Sequence, residues 1–453
     1  MSTARKLGLS APELDGKRLL VVMSVIVVTI IIDSEIGYVA DFIPAAISSS
    51  VGILVFIATG VIFAATQYLV LSYLQQLAGK VKAKALHLNF TQKAVTIAQY
   101  VLLAVVAAVI LQILLSSQYH TISLYVNLSL SYAIWIVTMA FLGRAFLSWY
   151  RSTFADGQKK RIGLVLVFAL AMIAYVVNGV SLLTEHVVTL QQHASIITSA
   201  YVAFFPEFEP ESVVSQLGTL TYISSSVAYV FTWIGTVMLL RRYIPKIGKM
   251  RFWAIMGIAL VYYLIEFPFY ALGFFDPASE SDVDVMNNIL IFSAMALLAG
   301  IVFGAAFLSI ARTLRRDSAV REYLVIAAYG MLIFYLAGSA TVVQAAYPPF
   351  GFVSTAFTGM ATFIIYLGLY SSAIAISQDS ILRQSIMKSA SEQSKLLDNI
   401  GTAQMEKEVQ TLVSSVSKKA ADMAEQSGVE PSMTNDEIRD YMEIVMKELK
   451  EKR

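Results

Sequence analysis

Lysine and arginine are absent from five long stretches of this chain: between Arg18 and Lys80, Lys93 and Arg144, Arg161 and Arg241, Arg251 and Arg312, and Arg321 and Arg383. One membrane span needs about 20 apolar residues, so each stretch is long enough to cross a bilayer and return. The cations gather in short clusters between the gaps. Basic loops stay on the cytoplasmic face of a membrane. The pattern therefore predicts an all-α, polytopic helical membrane protein of the cell membrane, with both termini inside. Composition agrees, with 57% hydrophobic and only 14% charged residues, where a soluble domain carries about 25% charged. Of the 64 charged residues, 25 follow Gln378, which sets the boundary between an apolar body and a polar tail.

Three parts follow from this division: a cytoplasmic segment 1–18, a ten-span transmembrane domain 19–377, and a cytoplasmic helical tail 378–453. The ten apolar segments are 19–40, 51–77, 94–115, 122–148, 162–184, 216–240, 252–275, 288–311, 323–344 and 352–377. Each is expected to be a helix, because lipid offers no partner for an open backbone group. The predicted outward loops carry acids and no bases. Ser116–Thr121 and Ala345–Gly351 read as tight turns. In Glu185–Ser215, His186, Leu190, His193 and Ile197 recur at helical spacing, which predicts a helix lying on the surface. The tail has apolar positions at three-four spacing. Leu382, Ile386, Leu396 and Ile400 form one run, and Val409, Leu412 and Val416 belong to a second, displaced near Gly401. That is a coiled-coil-like pattern with a stutter. It predicts a face that pairs with a second copy of the chain or with a cytoplasmic protein.

Glu266 is the carboxylate that no loop explains. A charge within hydrocarbon costs at least about 2.5 kcal/mol, so an intramembrane acid is a functional candidate. Pro268, two residues on, removes a backbone donor and kinks the helix beside it. Asp33 and Glu266 each stand fifteenth in their predicted spans, about 21 Å from the inner edge at 1.5 Å per residue. Two carboxylates at one depth can share a proton or hold a cation. His120, His186 and His193 fall on the outward side, where imidazoles can ligate zinc or copper. Gln67, Gln112, Asn127 and Asn178 are polar residues within or beside spans, suited to hydrogen bonds between helices.

There is no cysteine, which excludes disulfides and thiolate chemistry. No phosphate loop or GxSxG elbow is present, no cofactor is expected, and no catalytic set emerges. The chain reads as a non-enzyme whose basic loops suit anionic lipid rather than nucleic acid.

Tyr347-Pro-Pro-Phe-Gly351, Leu369-Tyr-Ser-Ser-Ala-Ile374, Ser377-Gln-Asp379 and Leu382-Arg-Gln-Ser385 resemble a family of uncharacterised multi-spanning archaeal proteins. That resemblance covers the last quarter of the chain and implies no activity. Spans four to ten, with the last running into a helical tail, are similar in layout to the seven-helix sensory membrane modules of some bacterial and archaeal receptors. This chain departs from them in having no output domain. Three functional readings stand: a sensor or regulatory membrane protein acting through its tail, a transporter or channel using Glu266 with Asp33, and a non-catalytic subunit of a membrane complex. The first is the expectation carried forward.

Overall fold

The computed structural model describes residues 16–40, 48–79, 86–155, 162–199, 213–264, 282–314, 318–338 and 346–378, with residues 400, 401, 403–405, 407, 411 and 415 of the tail. Ten helices of sixteen residues or more carry this described chain. They are α1 (Gly16–Ala40), α2 (Ser50–Gly79), α3 (Leu86–Ser116), α4 (Ile122–Ala155), α5 (Ile162–Leu190), α6 (Val213–Leu240), α7 (Lys249–Leu264), α8 (Asp282–Ala311), α9 (Ala319–Gly338) and α10 (Phe352–Gln378). Eight of them, α1 to α6 with α9 and α10, are long and apolar enough to cross a membrane. The other two predicted segments, 252–275 and 288–311, coincide with α7 and α8. The continuation 265–275 lies outside the described residues.

Several hydroxyl side chains enter these helices by donating to their own backbone. Thr29 donates to the carbonyl of Val25 at 2.8 Å, Thr66 to Ile62 at 2.8 Å and Thr138 to Ile134 at 2.7 Å. Each bond stays within one helix, so the hydroxyl is satisfied where no water reaches it.

Sequential helices run antiparallel. Gln67 of α2 meets Gln99 of α3, Gly143 of α4 meets Met172 of α5, and Gly304 of α8 meets the backbone of Ala328 in α9. The alternation collects Arg18, Lys93, Arg151, Arg241, Arg251, Arg312 and Arg321 at one end of the bundle, called the basic end here.

α10 is the central helix. Of its most apolar 18-residue window, 94% is buried, against 33% for α3. It packs on α1, α2, α3, α4 and α9. It runs parallel to α4, since Asn127 meets Phe352 near the start of both and Trp149 stacks on Tyr370 near the end of both. Small residues permit the close approach. A Cβ on Gly368 would stand 2.6 Å from the carbonyl oxygen of Tyr323, and one on Gly359 would stand 2.9 Å from that of Ser131. Both obstacles are backbone, which cannot swing aside. Gly368→Val is therefore expected to cost about 1–3 kcal/mol by overpacking the α9–α10 seam, read as a lower unfolding midpoint in detergent. An unchanged midpoint would contradict the close seam.

At the end opposite the bases, two three-residue strands pair. β1 (Gln118–His120) and β2 (Ile196–Thr198) are antiparallel, with Tyr119 opposite Ile197 and His120 opposite Ile196. This corrects two sequence expectations. The Ser116–Thr121 turn contains a strand. The helical spacing through His186 and Leu190 belongs to the last turns of α5, and the chain then turns and becomes β2 rather than a surface helix. Tyr119 is buried and its hydroxyl donates to the carbonyl of Ala346 at 2.8 Å. The loops before α4, after α5 and before α10 are thereby tied together.

Candidate functional site

The first four amides of any helix lack internal acceptors, and a side chain just before the helix normally supplies one. α10 has no such residue. Gly351 precedes it with φ +84°, a conformation that favours glycine, and Pro348, Pro349 and Phe350 come before that. The acceptor comes from another helix. Asp33 of α1 is fully buried, and its Oδ2 accepts from the amide of Ser354 at 2.8 Å and from the Ser354 hydroxyl at 2.8 Å. The amides of Gly351 and Val353 also face the carboxyl group. Ser34 donates to the Ser354 Oγ at 3.1 Å, and the Asn127 amide of α4 donates to the Phe352 carbonyl at 2.8 Å. The carboxylate thus stands against the positive end of the α10 dipole. Its second oxygen, Oδ1, has no hydrogen-bond partner. Gly37, one turn further along α1, also lies against this segment, its Cβ position 3.4 Å from the amide nitrogen of Gly351.

The opposite end of α10 carries part of the tail. Ile400, Ala403 and Gln404 are buried. Trp149 of α4, also buried, donates its indole N–H to Gln404 Oε1 at 3.3 Å. Gly401 sits so close to α10 that a Cβ there would lie 2.3 Å from Cγ2 of Ile376. Trp149 stacks on Tyr370, which stacks on Tyr366 one turn back along α10. Lys407 lies one turn beyond Gln404. Partial burial and the Arg144 guanidinium both push its ammonium below the usual lysine range. The docked tail therefore binds that proton less tightly than a free tail, so docking strengthens as pH rises toward the ordinary lysine range. Lys407→Gln removes the same opposition. It is expected to slow amide exchange in the docked tail slightly at neutral pH, and faster exchange would contradict the arrangement.

Between these ends lies an aromatic girdle in the adjacent helices. The Tyr175 hydroxyl of α5 bonds that of Tyr335 in α9 and lies 3.2 Å from Thr232 Oγ1 of α6. Phe334 packs edge-on against Trp135 of α4 and Tyr175, with ring centres 5.0 and 5.2 Å away. Tyr229 of α6 reaches α7 through the Ala259 carbonyl at 2.8 Å. The α4-to-α6 and α7-to-α9 groups are thus joined by buried hydroxyls.

Of the residues singled out from sequence, Asp33 is placed at the α10 cap. Glu266 and Pro268 lie outside the described residues, as do Leu382, Ile386, Leu396, Val409, Leu412 and Val416. Ile400 is described and buried. The histidines occupy three settings. His186 is buried against the Tyr132 ring at 5.7 Å, His120 is exposed in β1, and His193 follows the end of α5. Among the described residues no three His, Asp or Glu side chains are grouped to hold a metal ion. All four polar span residues make contacts between elements: Gln67 to Gln99, Gln112 to the His120 amide, Asn127 to Phe352 and Asn178 to Thr221. Ser354, Trp149 and Gln404 were missed as site residues. None of the three carries a local signal of its partner, because each contact joins helices far apart in sequence.

No protein-family model, no curated protein and no solved structure matches the chain. The fold itself defines the class. Eight apolar helices of spanning length among the described residues, one of them the buried central α10, make this an integral membrane protein in contact with a lipid bilayer.

Proposed function

We propose that the chain is a sensor or regulatory protein of the cell membrane, with ten spans and both termini cytoplasmic, that signals through its helical tail. One observation carries this reading: a single buried helix, α10, has its start held by Asp33 and its finish packed against the tail. In this orientation the Asp33 cap and the tied loops face outward, and the basic end faces the cytoplasm. A stimulus that alters the loops or the cap shifts α10 against α4. That movement acts on both contacts that hold the tail, Ile376 with Gly401 and Trp149 with Gln404. The seven-helix layout of α4 to α10, in which sequential neighbours pack and α10 returns to α4, supports the same reading. The tail's released face then meets a second copy or a cytoplasmic partner.

The transporter alternative draws on a buried carboxylate. The one described here, Asp33, accepts from the amide and hydroxyl of Ser354 through Oδ2, which favours a structural linkage over a carrier site.

Amide exchange in the full-length protein tests the sensor reading. Asp33→Asn, at the far end of α10, should raise exchange around Ile400–Gln404 severalfold. A variant of matched stability loss at the α5–α6 contact, Asn178→Ala, should not. Equal exchange in both would remove the linkage.

A further inference from the structure

A lateral groove of about 340 Å³ runs along the bundle between α1 and α2. Leu20, Val25, Val28 and Ile32 line it from α1, and Thr59 and Ile62 line it from α2. The α1 residues recur at three-to-five spacing, so they form one face of the helix. Leu20 and Val28 are each 53% exposed, so the groove opens outward rather than into the core. Its two threonines donate within their own helices, and Ser24 is the third polar side chain on its wall. Thr59 donates to the Phe56 carbonyl at 2.8 Å, and Thr29 donates to Val25.

Both walls are helices of spanning length, so the groove faces hydrocarbon. Leu20 to Ile32 covers about 18 Å at 1.5 Å per residue. Half of a hydrocarbon core is about 15 Å. The groove therefore matches the depth of one leaflet, starting from the basic end. At that start, on the same helix, Arg18 is exposed at the level where head groups lie. A guanidinium has five N–H donors, so a bond to a protein partner leaves others for a phosphate.

We propose that this groove is a binding site for one anionic lipid of the leaflet at the basic end. One hydrocarbon chain lies between α1 and α2, and the phosphate contacts Arg18. The site is independent of the sensor reading. It also has a structural consequence: Ile32 at the groove's far end directly precedes Asp33, so the bound chain supports the helix that caps α10.

Native mass spectrometry of the full chain, titrated in detergent with phosphatidylglycerol or phosphatidylcholine, tests the site. One phosphatidylglycerol should be retained per chain. Arg18→Gln should weaken its retention about fivefold, the effect of one basic side chain at an anionic surface. Val28→Trp, which fills the groove, should weaken it about tenfold through lost apolar burial. Val101→Trp on α3, at an exposed apolar position outside the groove, should leave it unchanged. Both groove variants alter exposed positions, and elution as a single species checks their folding. Three results would overturn the proposal. They are equal retention of the two lipids, an unaltered phosphatidylglycerol affinity in Val28→Trp, or a dimer mass abolished by Val28→Trp, which would make a second chain the occupant.

Discussion

Asp33→Ala is expected to destabilise the bundle by about 3 kcal/mol, combining a lost charge-assisted hydrogen bond with an amide left unsatisfied in the interior. Burying a charge is itself costly, and replacing a whole ion pair by apolar groups can be neutral. That relief does not apply to this substitution. The partner here is the backbone amide of Ser354, which remains after the carboxylate is gone. Loss of the charge at the start of a helix dipole adds to the penalty. Asp33→Asn keeps one oxygen acceptor of the same shape, so its cost should be about 1 kcal/mol. Ser354→Ala removes the hydroxyl and keeps the capped amide, and should also be mild. Denaturant or thermal unfolding in detergent ranks the three. An Asp33→Ala protein as stable as wild type would mean that the amides of α10 find another acceptor.

Gly401→Leu should release the tail while leaving the bundle folded. The described dock consists of buried Ile400, Ala403 and Gln404 with one bond from Trp149. Burial of an isoleucine contributes about 1.5–3 kcal/mol, and the hydrogen bond about 0.5–1.5 kcal/mol. The substitution forces a side chain into a space where even Cβ would lie 2.3 Å from Ile376. Overpacking of about 1–3 kcal/mol nearly cancels the dock. Trypsin cleavage at Lys407 reports the result, because cutting tracks the open population when reclosing is fast. Cleavage should accelerate by at least about fivefold, since 1.4 kcal/mol is one decade. Trp149→Phe, which keeps the ring but removes the N–H, should give a smaller acceleration. No change in Gly401→Leu would show that the tail is held elsewhere.

The helices were legible because hydrocarbon imposes a simple rule: apolar residues at spanning length, with bases segregated by side. Eight of the predicted segments accordingly match helices long enough to cross. The short strands were not legible. Three residues in a polar loop show no period, and their partners are separated by the whole of α4 and α5. Depth arithmetic gave Asp33 a level in the membrane but no neighbour. Its actual partner, Ser354, is 321 residues away, and nothing around Gly351 announces that its helix lacks a cap of its own. The tail shows the same limit from another side. Three-four spacing marked Ile400 as part of an apolar face. Gly401 registered only as the point where the spacing slips, and the near contact with Ile376 supplies its physical reason.

The central claim is that the Asp33 cap and the tail dock are coupled through α10. The chain has no cysteine, so nitroxides at Arg151→Cys and Thr411→Cys, both exposed positions, report the distance from α4 to the tail without background. The account predicts one narrow distance distribution in the otherwise native protein. It predicts a second, longer population in Asp33→Asn that matches the one produced by Gly401→Leu. A distribution that moves in Gly401→Leu but stays unchanged in Asp33→Asn would contradict it.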